Sequence, residues 1–138
     1  MRGTRGNGED LMITILCVGK LKEQYLIKMC EDYKTRINKY HKLEIIEIKD
    51  SNKEEECKII EKSISKYDHI LALDIDGKTV NTEEFKEIIE QRFTNGESSI
   101  CFIIGGSYGL TEKIKQISNQ RISFSKLTFP HGLFRAIL

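Results

Sequence analysis

Long apolar runs are missing from this chain. The longest, such as Met12–Val18, hold about seven residues, against the roughly 20 that a membrane-spanning helix needs. A secretory signal is missing too, because Arg2–Asp10 is polar and glycine-rich where an apolar core should begin. The four cysteines, Cys17, Cys30, Cys57 and Cys101, contain no CxxC pair. That spacing excludes a zinc knuckle or a redox dithiol, and it fits buried free thiols in a reducing cytosol. Charge of one sign is not in excess. Lys+Arg is 22 and Asp+Glu is 21, a formal net charge of +1, which excludes a globally basic nucleic-acid coat protein and an acidic tail. There is no internal repeat and no low-complexity tract, and the only proline is Pro130. What remains, 138 residues with 39% hydrophobic and 31% charged side chains, fits a single globular domain.

Residues 1–11 show no periodicity and are expected to be an unstructured leader, either added or an over-long start, with Met12 as the natural first residue. From there strand and helix patterns alternate. Met12–Val18, Leu43–Ile48, His69–Ile75 and Ser99–Ile104 read as strands, and Arg121–Phe124 as a short fifth one. Helices are predicted from Gln24 to Tyr40, with residues 26, 29, 30, 33, 37 and 40 on one face, after a Ser51–Glu54 capping box, over Asn81–Phe93, over Thr111–Ser118, and from Pro130 onward. A turn is expected at Asp76-Gly77-Lys78. The alternation predicts an α/β fold with a mostly parallel sheet flanked by helices, and the continuous apolar strands fit a sheet covered on both faces. Ligands in such sheets bind beyond the carboxyl ends of the strands. Leu73–Lys78, Gly105–Gly109 and Phe124–His131 lie there.

The loop Gly105-Gly106-Ser107-Tyr108-Gly109 leaves a strand and enters a helix. Its glycine spacing is not the dinucleotide fingerprint, and no Gly-Lys-Ser/Thr follows to make a P-loop. A close-approach ligand loop and a plain tight turn fit it equally well. Beyond it, Ser123–His131 packs three hydroxyls, a lysine, two aromatics and an imidazole into nine residues. From Thr111 onward the charge is +4 (Lys113, Lys115, Arg121, Lys126 and Arg135 against Glu112), which either offers an anionic partner a basic end or forms a solvated helix face. His41 and His69 sit at strand edges and read as structural.

Four segments in order carry a resemblance: Ile13–Lys22, Leu71–Lys78, Ile103–Leu110 and Ser123–Arg135. Together they resemble the RlmH family of bacterial ribosomal RNA methyltransferases, members of the SPOUT superfamily of α/β-knot enzymes, over residues 12–138. The resemblance implies a trefoil knot, a cytoplasmic homodimer, and S-adenosylmethionine as donor for methylation of N3 of a pseudouridine in large-subunit (23S) ribosomal RNA. It implies no metal and no membrane. The cofactor would lie against Leu73, Gly105, Phe124, Ser125, Lys126, Leu127, Thr128 and Phe129. In the motif Phe-Pro-His-x-Leu-x-Arg, His131 would position the base or handle its proton, and Arg135 would contact phosphate.

Two departures stand out. The family carries Gln where this chain has Gly132, and its pattern continues past Leu138 through the rest of a last helix and a basic tail. A truncated, catalytically inactive remnant that binds cofactor or RNA is therefore the alternative. A generic nucleotide-binding α/β domain is a third reading, which the glycine spacing disfavours.

Overall fold

A computed structural model describes residues 11–106, 109–125, 127 and 131–138. Five strands, β1 (Met12–Val18), β2 (Lys42–Ile48), β3 (His69–Thr79), β4 (Ser99–Ile104) and β5 (Gln120–Ser123), alternate with helices α1 (Gln24–Ile37), α2 (Lys53–Ile64), α3 (Thr82–Thr94), α4 (Glu112–Ile117) and α5 (His131–Ile137). The strands form one sheet in the order β2-β1-β4-β3-β5, and every pairing is parallel. The expected α/β class is the observed one.

The apolar runs are continuous because the central strands are covered twice. Alternate residues of β1 and β4 enter opposite cores. Leu16, Val18, Cys101 and Ile103 join Cys57, Ile60 and Ile64 of α2 and Ile114 of α4 on one face. Ile15, Cys17, Phe102 and Ile104 pack on the other, against Phe85, Ile88 and Ile89 of α3 and Phe134 of α5. All four cysteines are buried free thiols. Burial pushes Cys17 up to about 11 and Cys101 up to about 12, so neither is a thiolate nucleophile at neutral pH.

Several local expectations are corrected. Leu11, assigned to the leader, is fully buried, and the Met12 N–H donates to the Ser98 carbonyl at 2.9 Å; residues 1–10 lie outside the described residues. Asn52, not Ser51, caps α2, its side chain accepting from the Glu55 N–H. The capping box belongs to α3, where Asn81 and Glu84 bond reciprocally. Helix α1 stops at Ile37, and Met29 and Tyr33, expected on the inward face, are exposed.

The largest difference is in β3. Leu73 and Lys78 both pair with Ile122, so Asp74–Gly77 loop out of the ladder before pairing resumes at Lys78. The turn composition at 76–78 is real, but the chain rejoins the same neighbour. Gly77 makes this possible: a Cβ there would lie 2.7 Å from the Arg121 carbonyl carbon. Gly132 seats α5 closely on α1, since a Cβ would lie 2.9 Å from Leu26 Cδ1.

Candidate active site

Helix α3, which follows β3, and helix α4, which follows β4, leave the sheet on opposite faces. A crevice therefore opens between the carboxyl ends of these neighbouring strands, where α/β sheets bind ligands. A cavity of about 570 Å³ fills it, within the usual range for a small-molecule site. Its walls come from the three segments singled out in the sequence: Leu73 to Asp76 at the break in β3, Gly105, Gly106, Gly109 and Leu110 after β4, and Ser123 to Ser125 with Leu127 at and after the end of β5. Phe134 of α5 closes one side.

The glycine turn is built by short range contacts. The Gly109 N–H donates to the Gly106 carbonyl at 2.9 Å. Gly109 has φ +78°, the left-handed region that glycine enters without strain. A Cβ on Gly105 would lie 3.0 Å from the Gly109 carbonyl group. Its missing side chain therefore lets the turn close on itself as well as exposing backbone to the cavity.

The segment after β5 is held by hydroxyls and rings. Ser123 Oγ donates to the Ser125 carbonyl at 2.8 Å, and the Leu127 N–H donates to Ser125 Oγ at 2.9 Å. Phe124 stands edge-on to Phe85 of α3 at 5.3 Å and lies 5.5 Å from Phe134. These contacts clamp the segment between α3 and α5. At the rim, Asp74 is nearly buried and faces Arg121 at 3.3 Å and Lys115 at 3.6 Å, which fixes the loop-out of β3 over the cavity.

A larger cleft of about 680 Å³ runs beside α3 and β5. Glu84, Glu87 and Glu90 face Lys78, Arg92 and Arg121 there, and no glycine brings backbone to its surface. Size alone does not make it the better site, since the convergent backbone groups and apolar walls lie at the strand ends.

Residues 11–138 match the protein family described as "Predicted SPOUT methyltransferase". The chain belongs to the SPOUT methyltransferase family. Curated relatives agree. The chain is 40% identical over 139 residues to "Ribosomal RNA large subunit methyltransferase H 1" of Clostridium perfringens (strain SM101 / Type A), covering 91% of this chain and 87% of the relative. It is 41% identical, with the same coverage, to "Ribosomal RNA large subunit methyltransferase H" of Clostridium botulinum (strain Hall / ATCC 3502 / NCTC 13319 / Type A), and 42% identical to the protein of that name from the Kyoto strain.

Within this SPOUT domain the structure brings Leu73, Gly105, Phe124, Ser125 and Leu127 to one cavity. Lys126, Thr128, Phe129 and the His131 side chain lie outside the described residues. Arg135, expected to contact phosphate, is 5% exposed. Its Nη1 donates to Glu47 Oε2 at 2.6 Å and its Nη2 to the Gly19 carbonyl at 3.0 Å. It bolts α5 to the ends of β1 and β2. The basic end is likewise mostly neutralised: Lys113 pairs with Glu61, and Lys115 and Arg121 pair with Asp74. Sequence reasoning missed Asp74 and Phe134 as wall residues, although both fall inside segments it had marked. Among the described residues no group of three metal-ligating side chains converges, and no helix is long and apolar enough to cross a membrane.

Proposed function

We propose that this chain transfers a methyl group from S-adenosylmethionine to N3 of a pseudouridine in large-subunit ribosomal RNA, working as a cytoplasmic homodimer whose SPOUT domain spans residues 12–138. The observation that carries this reading is one cavity lined by all three strand-exit segments in a chain 40% identical to a ribosomal RNA large subunit methyltransferase.

The cavity fits the cofactor. Its volume suits a nucleoside-sized ligand. Leu73, Ile104, Leu110 and Phe124 offer apolar surface for an adenine ring, and the glycines expose main-chain N–H and C=O groups to read its edges. When bound, the cofactor supplies an electrophilic methyl on a sulfonium. This chain's residues then have to hold the donor in line with the base and exclude water. Phe124 and Phe134 perform the second task from two sides. The Ser123–Ser125–Leu127 hydrogen bonds keep the wall fixed before any ligand arrives, which lowers the ordering cost of binding. His131 opens α5, one turn before the wall residue Phe134, and is the residue we assign to positioning the base or taking its N3 proton. Arg135 serves this site through α5.

Calorimetry with S-adenosylmethionine and methyl incorporation into ribosomes lacking the modification test the reading. Binding with transfer is expected. Binding without transfer favours the inactive remnant, and no binding removes the cofactor assignment.

A further inference from the structure

Glu56 has no part in the site described above, yet it is 2% exposed at the carboxyl edge of the sheet. One carboxyl oxygen, Oε2, accepts the Ser51 N–H at 2.8 Å. The other, Oε1, has no hydrogen-bond partner among the described residues. Leaving a buried acceptor unmatched is costly, so its surroundings matter.

Oε1 faces the back of the glycine turn. A Cβ on Gly106 would lie 2.9 Å from Oε1 and 3.1 Å from Val18 Cγ1. Gly106 also lines the cavity on its front. One bare backbone unit therefore separates the free acceptor from the ligand space. Gly105 and Gly106 have only main-chain groups to offer, and the Gly106 carbonyl is already engaged by the Gly109 N–H. The donor that these two glycines can present to an acceptor behind them is a main-chain N–H.

We propose that Glu56 is a positioning residue for the cofactor site: its free Oε1 accepts the backbone N–H of Gly105 or Gly106 when the cofactor fills the cavity, so that ligand binding and turn geometry are coupled. The inference rests on the cofactor reading above and names a residue that the resemblance did not. It also explains the glycine at 106, since any side chain there would push the carboxyl away.

Glu56→Gln is the direct test. Ser51 needs an acceptor, so the amide oxygen takes the place of Oε2 and the NH2 group faces the turn. The substitution thus keeps the bulk and the Ser51 bond and replaces the free acceptor with a donor. Without ligand, its melting temperature is expected within about 3 °C of wild type. By calorimetry, its Kd for S-adenosylmethionine is expected to rise about tenfold, the effect of one lost hydrogen bond. The Kd for S-adenosylhomocysteine, which lacks the sulfonium charge, should rise equally. Gly106→Ala should weaken both ligands in the same direction and add little in the Glu56→Gln background, because the two changes break one contact. Unchanged Kd values in Glu56→Gln, with wild-type protein binding normally, overturn this inference alone. A loss confined to the sulfonium ligand overturns it in favour of direct charge pairing. A large fall in unliganded melting temperature overturns it in favour of a structural role. Wild-type protein that binds neither ligand removes the cofactor reading itself.

Discussion

Single residues here are decided by what lies within a few ångströms, and sequence neighbours rarely supply it. Gly77 reads locally as turn chemistry, but its tightest contact is the backbone of Arg121. Backbone cannot swing aside as a side-chain tip can. Gly77→Ala should therefore destabilise by about 1–3 kcal/mol, seen as a lower urea midpoint at unchanged slope; a wild-type midpoint refutes the close approach. His69 is a second case. It reads as a strand-edge histidine, and the structure buries it between two partners. Arg92 Nη1 donates to Nδ1 at 2.7 Å, which leaves the proton on Nε2, 2.8 Å from Gln120 Oε1. Burial, reinforced by the Arg92 charge, holds its pKa below the usual 6.5, against opposing pulls from Gln120 and Glu97. The unfolded chain then binds the proton first. This contribution to stability is complete above pH 6.5 and declines as pH falls from 6.5 through the lowered folded value. Thermal melts should show a drop between pH 7 and 5 that His69→Gln flattens. Asp68 acts in a separate window: N–H groups of Ser98 and Ser99 hold its carboxyl below the ordinary 3.8, so its share is lost only in stronger acid.

At the scale of elements, α5 shows where local reading stops. Strands β1, β2 and β4 and the helix patterns are legible because each depends on periodicity within a dozen residues. The three strand-exit segments are legible because parallel α/β sheets gather ligands at one end. The role of Arg135 is not legible, because its partner Glu47 is 88 residues away and an arginine beside a histidine reads as surface chemistry. Glu56 is hidden in the same way: it looks like one more acid in the first turns of α2, beside Glu54 and Glu55. The resumption of β3 pairing at Lys78 is equally non-local. For α5 the consequence is testable. Arg135→Ala removes two hydrogen bonds from a buried guanidinium, worth about 1.5–3 kcal/mol each where charge is involved. It also loosens the helix that carries Phe134 into the cavity wall. Melting temperature and S-adenosylmethionine affinity should fall together. A variant that loses RNA binding alone, with both of those intact, restores the phosphate-contact reading.

The whole molecule is one sheet with a core on each face, and the site draws on most of it. The cavity wall is tied through Phe124 to Phe85 and Phe102, and through α5 and Arg135 to β2 at the far edge. Such cross-links make strand ends, glycine turn and C-terminal helix parts of one cooperative unit. A ligand that binds only the folded state then stabilises every amide that exchanges through global opening by the same factor. At a cofactor concentration of about 100 times Kd, that factor is about 100. Hydrogen exchange should therefore slow about equally at Leu43–Ile48, which touches no ligand, and at Ile100–Ile104, which ends in the cavity wall. Protection confined to 104–134 would mean that the site opens as a separate unit, and that the Arg135 bolt does not join it to the sheet.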